Sequence, residues 1–306
     1  MAARSAASAP SNDPLAFMTT TPTNPRVSVL LPGYNAGSYL DAAVRSILEQ
    51  SLEDLELVVI DDGSTDGSGE VLRKHAQVDS RVRLISRENR GLVATLGELI
   101  DNARGELLAR MDADDIALPD RFRAQVRFLE ENPRTVCIGG GIILIDEHDK
   151  ELHHPPPVVG NAHVQRSALE GRMPICHPAA MFRASAIAKV GGYRPEAYPS
   201  EDLDLWLRLG EVGHLDNVPE AVLRYRVHST SISVQQSDRQ IAKMRDACEA
   251  AWKRRNITDG IFRGAGQQQS HAASAVEPKP GNAQAGQHNP TAQSLILASN
   301  GTPRRD

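Results

Sequence analysis

Leu55-Glu56-Leu57-Val58-Val59-Ile60-Asp61-Asp62-Gly63-Ser64-Thr65-Asp66-Gly67-Ser68 is the stretch on which the fold turns. After an acidic start it is almost wholly apolar and rich in β-branched residues, which suits a strand buried on both faces. It stops in Asp, Gly, Ser and Thr, the residues that build turns and helix caps. Upstream, Val27-Ser28-Val29-Leu30-Leu31 is a similar run halted by Pro32-Gly33, and downstream Val82 to Ile85 and Leu107 to Met111 repeat the pattern. Between the runs the apolar period changes to that of a helix. Leu40, Ala43, Val44, Ile47 and Leu48 share one face, with Ser38 expected as N-cap and Asp41 three residues on. Helical pattern resumes near Gly69, and again at Leu92, Leu96, Leu99, Ile100 and Ala103, with Gly105 as the expected stop. Regular alternation of strand and helix predicts an α/β fold. Its central sheet is Rossmann-like and mostly parallel, with right-handed crossovers and helices on its flanks.

The second half is less regular. It carries an expected strand at Cys137 to Ile145, a proline-rich loop at His153 to Pro157, and helices at Asn161 to Glu170 and Ser185 to Val190. A helix at Glu201 to Leu209, a strand at Ala221 to Val227 and a helix at Gln236 to Arg255 follow. Residues 1–25 are rich in Ala, Ser, Thr and Pro, and residues 261–306 in Gln, Ala, Ser, Gly, Asn and Pro. Both compositions read as disordered tails around one domain at 26–260. That domain divides into two halves, 26–118 and 119–260.

The chain of 306 residues carries a net charge of −5, so no global basic field recruits nucleic acid or anionic lipid. A phosphate-bearing ligand has to be neutralised locally. Its 3 cysteines form no close-spaced set, which argues against a disulfide framework or a cysteine-rich zinc site and suits a reducing cytosol. No apolar run approaches the ~18 residues of a membrane span. The expected location is the cytoplasm or the inner face of the membrane, with any membrane association peripheral.

In an open parallel sheet, ligands sit beyond the carboxyl ends of the strands. Two of those ends carry acid clusters: Asp61-Asp62 after the second strand, and Asp112-Ala113-Asp114-Asp115 after the fourth. Turn chemistry alone accounts for the first cluster as well as ligand binding does. It fits the second poorly, because like charges crowded at one strand end repel unless a cation joins them. Oxygen ligands with no His or Cys nearby favour Mg²⁺ or Mn²⁺ over zinc. No G-x-G-x-x-G follows a strand and no P-loop lysine motif is present, which disfavours a dinucleotide enzyme or an ATPase.

Further motifs follow in order: Cys176-His177-Pro178, Gly191-Gly192-Tyr193-Arg194, Glu201-Asp202-Leu203-Asp204-Leu205-Trp206 and Tyr225-Arg226-Val227-His228-Ser229. With Val27 to Asn35, Asp61 to Ser68 and Arg110 to Asp115, this set resembles glycosyltransferase family 2, in its bacterial cell-surface polysaccharide branch, over roughly residues 26–235. The resemblance implies a GT-A fold and transfer of a sugar, with inversion, from a nucleotide-diphosphate sugar, a UDP-sugar in first place, to a saccharide or lipid-linked acceptor. It implies that Pro32, Tyr34 and Asn35 border the uracil and ribose, with Asp61, Asp62, Arg110, Asp112 and Ala113 also at the nucleotide sugar. Asp114 and His228 would hold Mn²⁺ or Mg²⁺, Asp202 would be the general base with Glu201 beside it, and His177 and Trp206 would face the acceptor. Two departures stand out. Gly97 lies where relatives usually carry Asn, and the Q-x-x-R-W of processive synthases is missing.

Each assignment has a plainer rival. Glu201 and Asp202 follow Ser200 and could simply complement a helix dipole. His228 lies just past an apolar strand, where a lone His is more often structural. Trp206 with Leu203, Leu207 and Leu209 reads as core before it reads as a sugar platform. A sugar-nucleotide nucleotidyltransferase would need a basic residue in the loop after the first strand, and Pro32 to Ser38 has none. A non-catalytic nucleotide-sugar-binding protein is the other alternative.

Overall fold

The computed structural model describes residues 24–227 and 237–264. Its first half follows the predicted alternation: β1 (Val27–Gly33), α1 (Leu40–Leu48), β2 (Leu55–Asp62), α2 (Ser68–Val78), β3 (Val82–Arg87), α3 (Leu92–Asn102) and β4 (Leu107–Arg110). The strands pair in parallel in the order β3-β2-β1-β4. Alternation along each strand sorts the side chains. Val27, Val29, Leu31, Leu57 and Val59 pack with Leu40, Val44 and Ile47 of α1 and Leu72 of α2. Leu30, Val58 and Ile60 pack on the other face with Leu96 and Leu99 of α3. Because α1 and α2 lie on one face and α3 on the other, chain direction across the sheet reverses between β1 and β4. That switch point opens a crevice at the carboxyl ends of the two strands.

Two helix-end expectations are corrected. Ser38 does not cap α1; a 3-10 turn, Gly37–Tyr39, runs straight into it, and Tyr39 holds the cap position without a side-chain bond. Gly105 does not end α3, which stops at Asn102 with Ala103 already extended. It serves close packing instead, since a Cβ there would lie 2.6 Å from the Ser28 nitrogen.

The second half contains β5 (Ile116–Ala117), α4 (Arg121–Glu131), β6 (Thr135–Ile145), β7 (Glu151–His153), α5 (Asn161–Leu169), β8 (Met181–Arg183), α6 (Ala184–Val190), α7 (Glu201–Leu209), β9 (His214–Arg226) and α8 (Ser237–Arg254). It extends the sheet as β4-β8-β6-β9-β5, with β8 antiparallel to both neighbours and β7 paired to β6. The sequence pattern marks no helix at α4, although Phe122, Val126 and Leu129 lie on its buried face. Arg121 and Gln125 are buried there too, and they disguise the apolar stripe. β9 starts well before the expected Ala221 because its register shifts around Pro219, which tolerates a proline inside a strand. His153 closes β7 rather than opening a loop. α7 and α8 pack through Leu203, Leu207, Met244, Ala247, Cys248 and Ala251. The folded chain also continues past residue 260: Phe262 packs against this cluster, and the Arg263 N–H donates to the Glu170 carbonyl at 2.8 Å. The rest of both expected tails, 1–23 and 265–306, lies outside the described residues.

Candidate active site

The parallel register sets Gly33 opposite Asp61 and Leu30 opposite Arg110, so the loops after β1, β2 and β4 leave the sheet side by side. The first two are stitched together. Asn35 takes a left-handed φ of 48°, which Asn tolerates better than most residues. Its N–H donates to Ser64 Oγ at 3.0 Å, and its Oδ1 accepts from the Thr65 N–H at 2.8 Å. Gly37 N–H donates to Asp66 Oδ2 at 2.9 Å. Between these anchors Tyr34 stays exposed at the mouth, at 55 %. Pro32 is half-buried on the last turn of β1.

Asp61 and Asp62 are both buried and hold the chain itself. Asp61 Oδ1 accepts the Ser64 N–H at 3.0 Å, and its other oxygen sits where a Cβ on Gly69 would come within 2.5 Å. Only glycine lets α2 start there. Asp62 Oδ1 accepts the Arg90 N–H at 2.8 Å and pairs with Arg87; Oδ2 accepts the Gly91 N–H at 3.0 Å. Arg87 also reaches Glu98 at 2.7 Å and Thr95 Oγ1 at 3.0 Å. Asp62 therefore shapes the turn that leads into α3.

At the end of β4, Arg110 is buried and pairs with Asp112, while its Nε has no hydrogen-bond partner among the described residues. Burial opposes the charge of Arg110; the field of Asp112 outweighs it and raises the pKa. One oxygen each from Asp112, Asp114 and Asp115 lies within 4.8 Å of the others. Burial drives the Asp115 carboxyl well above the usual carboxylate range, and the fields of Asp112 and Asp114 add to it. Asp112 is raised by burial and by Asp114, against the pull of Arg110. Asp115 Oδ1 accepts the Arg226 N–H at 2.8 Å, but its buried Oδ2 has no partner among the described residues. Converging oxygens with an orphaned buried lone pair fit a divalent cation. Ala113 is buried between them.

A second acid pair stands at the first turn of α7. Ser200 precedes it but makes no side-chain cap, so the plain capping picture fails for that residue. Glu201 is buried, its Oε2 without a partner among the described residues, and Asp202 Oδ1 accepts the Leu203 N–H at 2.8 Å. Burial raises both carboxyls, and the Asp202 charge raises Glu201 further. Both also feel the charges of Arg110, which lowers their pKa, and Asp112, which raises it.

His177 is nearly buried, with Nε2 2.6 Å from the Tyr193 hydroxyl. Burial and the Arg110 charge hold it well below the ordinary histidine pKa, so it is neutral. Trp206 is corrected to the core: it is 0 % exposed, edge-on to His177 at 5.8 Å and beside Phe182, and offers no face to an acceptor sugar. His228 lies outside the described residues. Sequence reasoning missed Tyr193, Arg87 and Arg226 as members of this site. Tyr193 and Arg226 sit inside motifs already singled out, where attention to the His and the acids passed over them.

The family model for glycosyl transferase family 2 matches residues 28–191. The EpsE glycosyltransferase of Bacillus subtilis is 34 % identical over 212 residues, covering 68 % of this chain and 75 % of the relative. The O-antigen biosynthesis glycosyltransferase WbnJ of Escherichia coli is 32 % identical, covering 67 % of this chain and 81 % of its own length. In fold, the chain is similar to S. aureus TarS residues 1–349 in complex with UDP-GlcNAc, with a TM-score of 0.59 at 15 % identity, over 81 % of this chain and 69 % of that one. With the GT-A sheet, the acid cluster at its switch point and these matches in agreement, the chain belongs to glycosyltransferase family 2.

Proposed function

We propose that the chain transfers a sugar from a uridine diphosphate donor to a hydroxyl of a saccharide or lipid-linked acceptor in cell-surface glycan synthesis, with inversion. The work is done in the cytoplasm or at the inner membrane face. The observation that carries this reading is the Asp112–Asp114–Asp115 cluster at the end of β4, whose Asp112 pairs with the buried Arg110, the same charge that Glu201 and Asp202 feel.

The two groups divide the labour. Asp112, Asp114 and Asp115 would hold Mn²⁺ or Mg²⁺, with His228 joining them. A cation bound there neutralises charge on the diphosphate. Tyr34 and Asn35 border the nucleoside from the loop after β1, and Asp61 and Asp62 keep the neighbouring turns in shape. Asp202 accepts the proton of the acceptor hydroxyl, whose oxygen bonds to the anomeric carbon as the bond to the diphosphate breaks. One displacement of this kind inverts that carbon. Burial, with the Asp112 charge added to it, keeps this base less acidic than a solvated Asp and so better matched to its task. His177 and Tyr193 bond to each other within the field of the Arg110 charge.

No helix among the described residues is long and apolar enough to cross a membrane. A melting screen of nucleoside diphosphates tests the donor. UDP with Mn²⁺ should raise the melting temperature more than ADP or GDP with Mn²⁺, or UDP with chelator, since selective binding stabilises with the logarithm of ligand excess. Equal shifts with excess chelator would remove the metal, and a larger GDP shift would remove uridine.

A further inference from the structure

Three carboxylates crowded on one loop repel one another, and the loop is held from outside by Arg226, the last residue of β9. Arg226 is nearly fully buried, hydrogen-bonds to two separate loops and stacks its guanidinium over a ring from a third segment. Its backbone N–H donates to Asp115 Oδ1 at 2.8 Å, and its Nε donates to the Asp114 carbonyl at 2.7 Å. Its Nη1 donates to the Asp146 carbonyl at 2.9 Å and Nη2 to the Asp149 carboxylate at 2.6 Å, both in the turn between β6 and β7. The guanidinium carbon lies 4.3 Å from the centre of the Tyr39 ring, at the start of α1.

The choice of acceptors matters. Arg226 spends its planar fork on main-chain carbonyls and on the distant Asp149, so its side chain competes for none of the three clustered carboxylates. A lysine could satisfy one of these acceptors at a time but not the fork. We infer that Arg226 is a positioning residue that presets the Asp112–Asp115 loop for its divalent cation and ties that loop to the start of α1, just beyond the donor loop after β1. The inference rests on the metal reading proposed above. It adds a residue outside the ligand set and names the turn at Asp146–Asp149 as the far end of its support.

The test is Mn²⁺ binding to the full chain, read from the paramagnetic resonance signal of free Mn²⁺ and so independent of turnover. Two variants are compared with wild type: Arg226→Lys, and Asp149→Asn, which touches nothing in the acidic loop. Melting in chelator is recorded for all three. Arg226→Lys should weaken Mn²⁺ by about 10- to 100-fold, the usual effect of losing a group that orients metal ligands. Asp149→Asn should weaken it by a smaller but measurable factor with an unchanged melt in chelator. Wild-type affinity in a folded Arg226→Lys protein, or in Asp149→Asn, overturns the inference, because the turn would then not support the loop. A wild-type chain that binds no Mn²⁺ removes the metal reading itself, and this inference with it.

Discussion

Glu56 lies near the amino ends of the central strands, and Asp112, Asp115, Glu201 and Asp202 lie beyond the carboxyl ends. All are removed from solvent to a large degree, yet the protein treats the two places in opposite ways. Glu56 accepts from Ser28 Oγ at 2.6 Å, from the Arg104 N–H and Nε at 2.9 Å, and from Arg83 Nη1 at 3.0 Å. Burial alone would raise its pKa; the Ser28, Arg104 and Arg83 bonds outweigh it and hold the carboxyl below its ordinary value. At the other end burial prevails. Asp112, Asp115, Glu201 and Asp202 are all raised, and Asp115 and Glu201 keep buried oxygens without partners among the described residues. One end of the sheet satisfies its buried acid, and the other leaves Asp115 Oδ2 and Glu201 Oε2 without partners among the described residues. A satisfied buried carboxylate is a stability device, whereas unsatisfied ones in a crevice are held ready for chemistry.

The comparison breaks most readily at Asp202. Asp202→Asn keeps the size and the Leu203 contact but accepts no proton, so transfer should fall by on the order of 10²- to 10⁴-fold. UDP affinity should stay at its wild-type value. Asp114→Asn should lower transfer by at least roughly 100-fold and weaken Mn²⁺ as well, since even orienting groups at metal sites are worth about 10- to 100-fold. Transfer assays with Mn²⁺ titrations distinguish the two residues; an Asp114 variant with normal Mn²⁺ dependence would return the cluster to turn chemistry.

The pH profile sharpens the contrast. Asp202 is raised to about 6 and works as a base only when ionised. Transfer should therefore climb as pH rises through about 6 and level off above, with Glu201 sharing the acid limb. A rate that is flat from pH 5 to 8 would exclude this base. Glu56 has the opposite linkage. Its folded pKa is depressed, so its contribution is present above the unfolded value and is lost as pH falls through the folded one. Glu56→Gln should cost about 1.5–3 kcal/mol, the worth of hydrogen bonds to a charged group, in denaturant melts at pH 7, while kcat and KM stay unchanged. The smallest effect is at Gly97. A Cβ there meets nothing within 4 Å, so Gly97→Ala should stabilise α3 by up to about 1 kcal/mol in the same melts.

Much of the amino half could be read from sequence because its signals are local. The two apolar runs ending in Pro32-Gly33 and Asp61-Asp62 set strands, and the one-face stripe of Leu40, Val44 and Ile47 set a helix. The gathering of Asp112, Asp114 and Asp115 was legible for the same reason, as carboxylates massed at one strand end. What sequence did not disclose depends on distant contacts. α4 hides behind Arg121, whose guanidinium is buried against the Arg110 carbonyl at 2.7 Å. The early start of β9 depends on a register shift around Pro219 that only β6 can impose. Trp206 could be assigned to core or cleft only once Phe182 and His177 were seen packed on it. Arg226 acts across more than a hundred residues of sequence, a separation no spacing rule reaches.

The contrast between the two sheet ends is tested most directly by taking the melting temperature and the transfer rate of Asp202→Asn on one preparation at pH 8, without added metal for the melt. A carboxyl whose pKa is raised on folding lends stability below its unfolded pKa and loses it as pH rises through the folded value, about 6 here, so ionised Asp202 is a burden on the fold at pH 8. Replacing it with a neutral side chain should leave the melting temperature at or above wild type while transfer falls by on the order of 10²-fold or more. The helix-capping rival requires the reverse. An Asp202→Asn protein that melts lower, by around 1 kcal/mol of lost dipole or cap interaction, and still transfers sugar at nearly the wild-type rate would contradict the account.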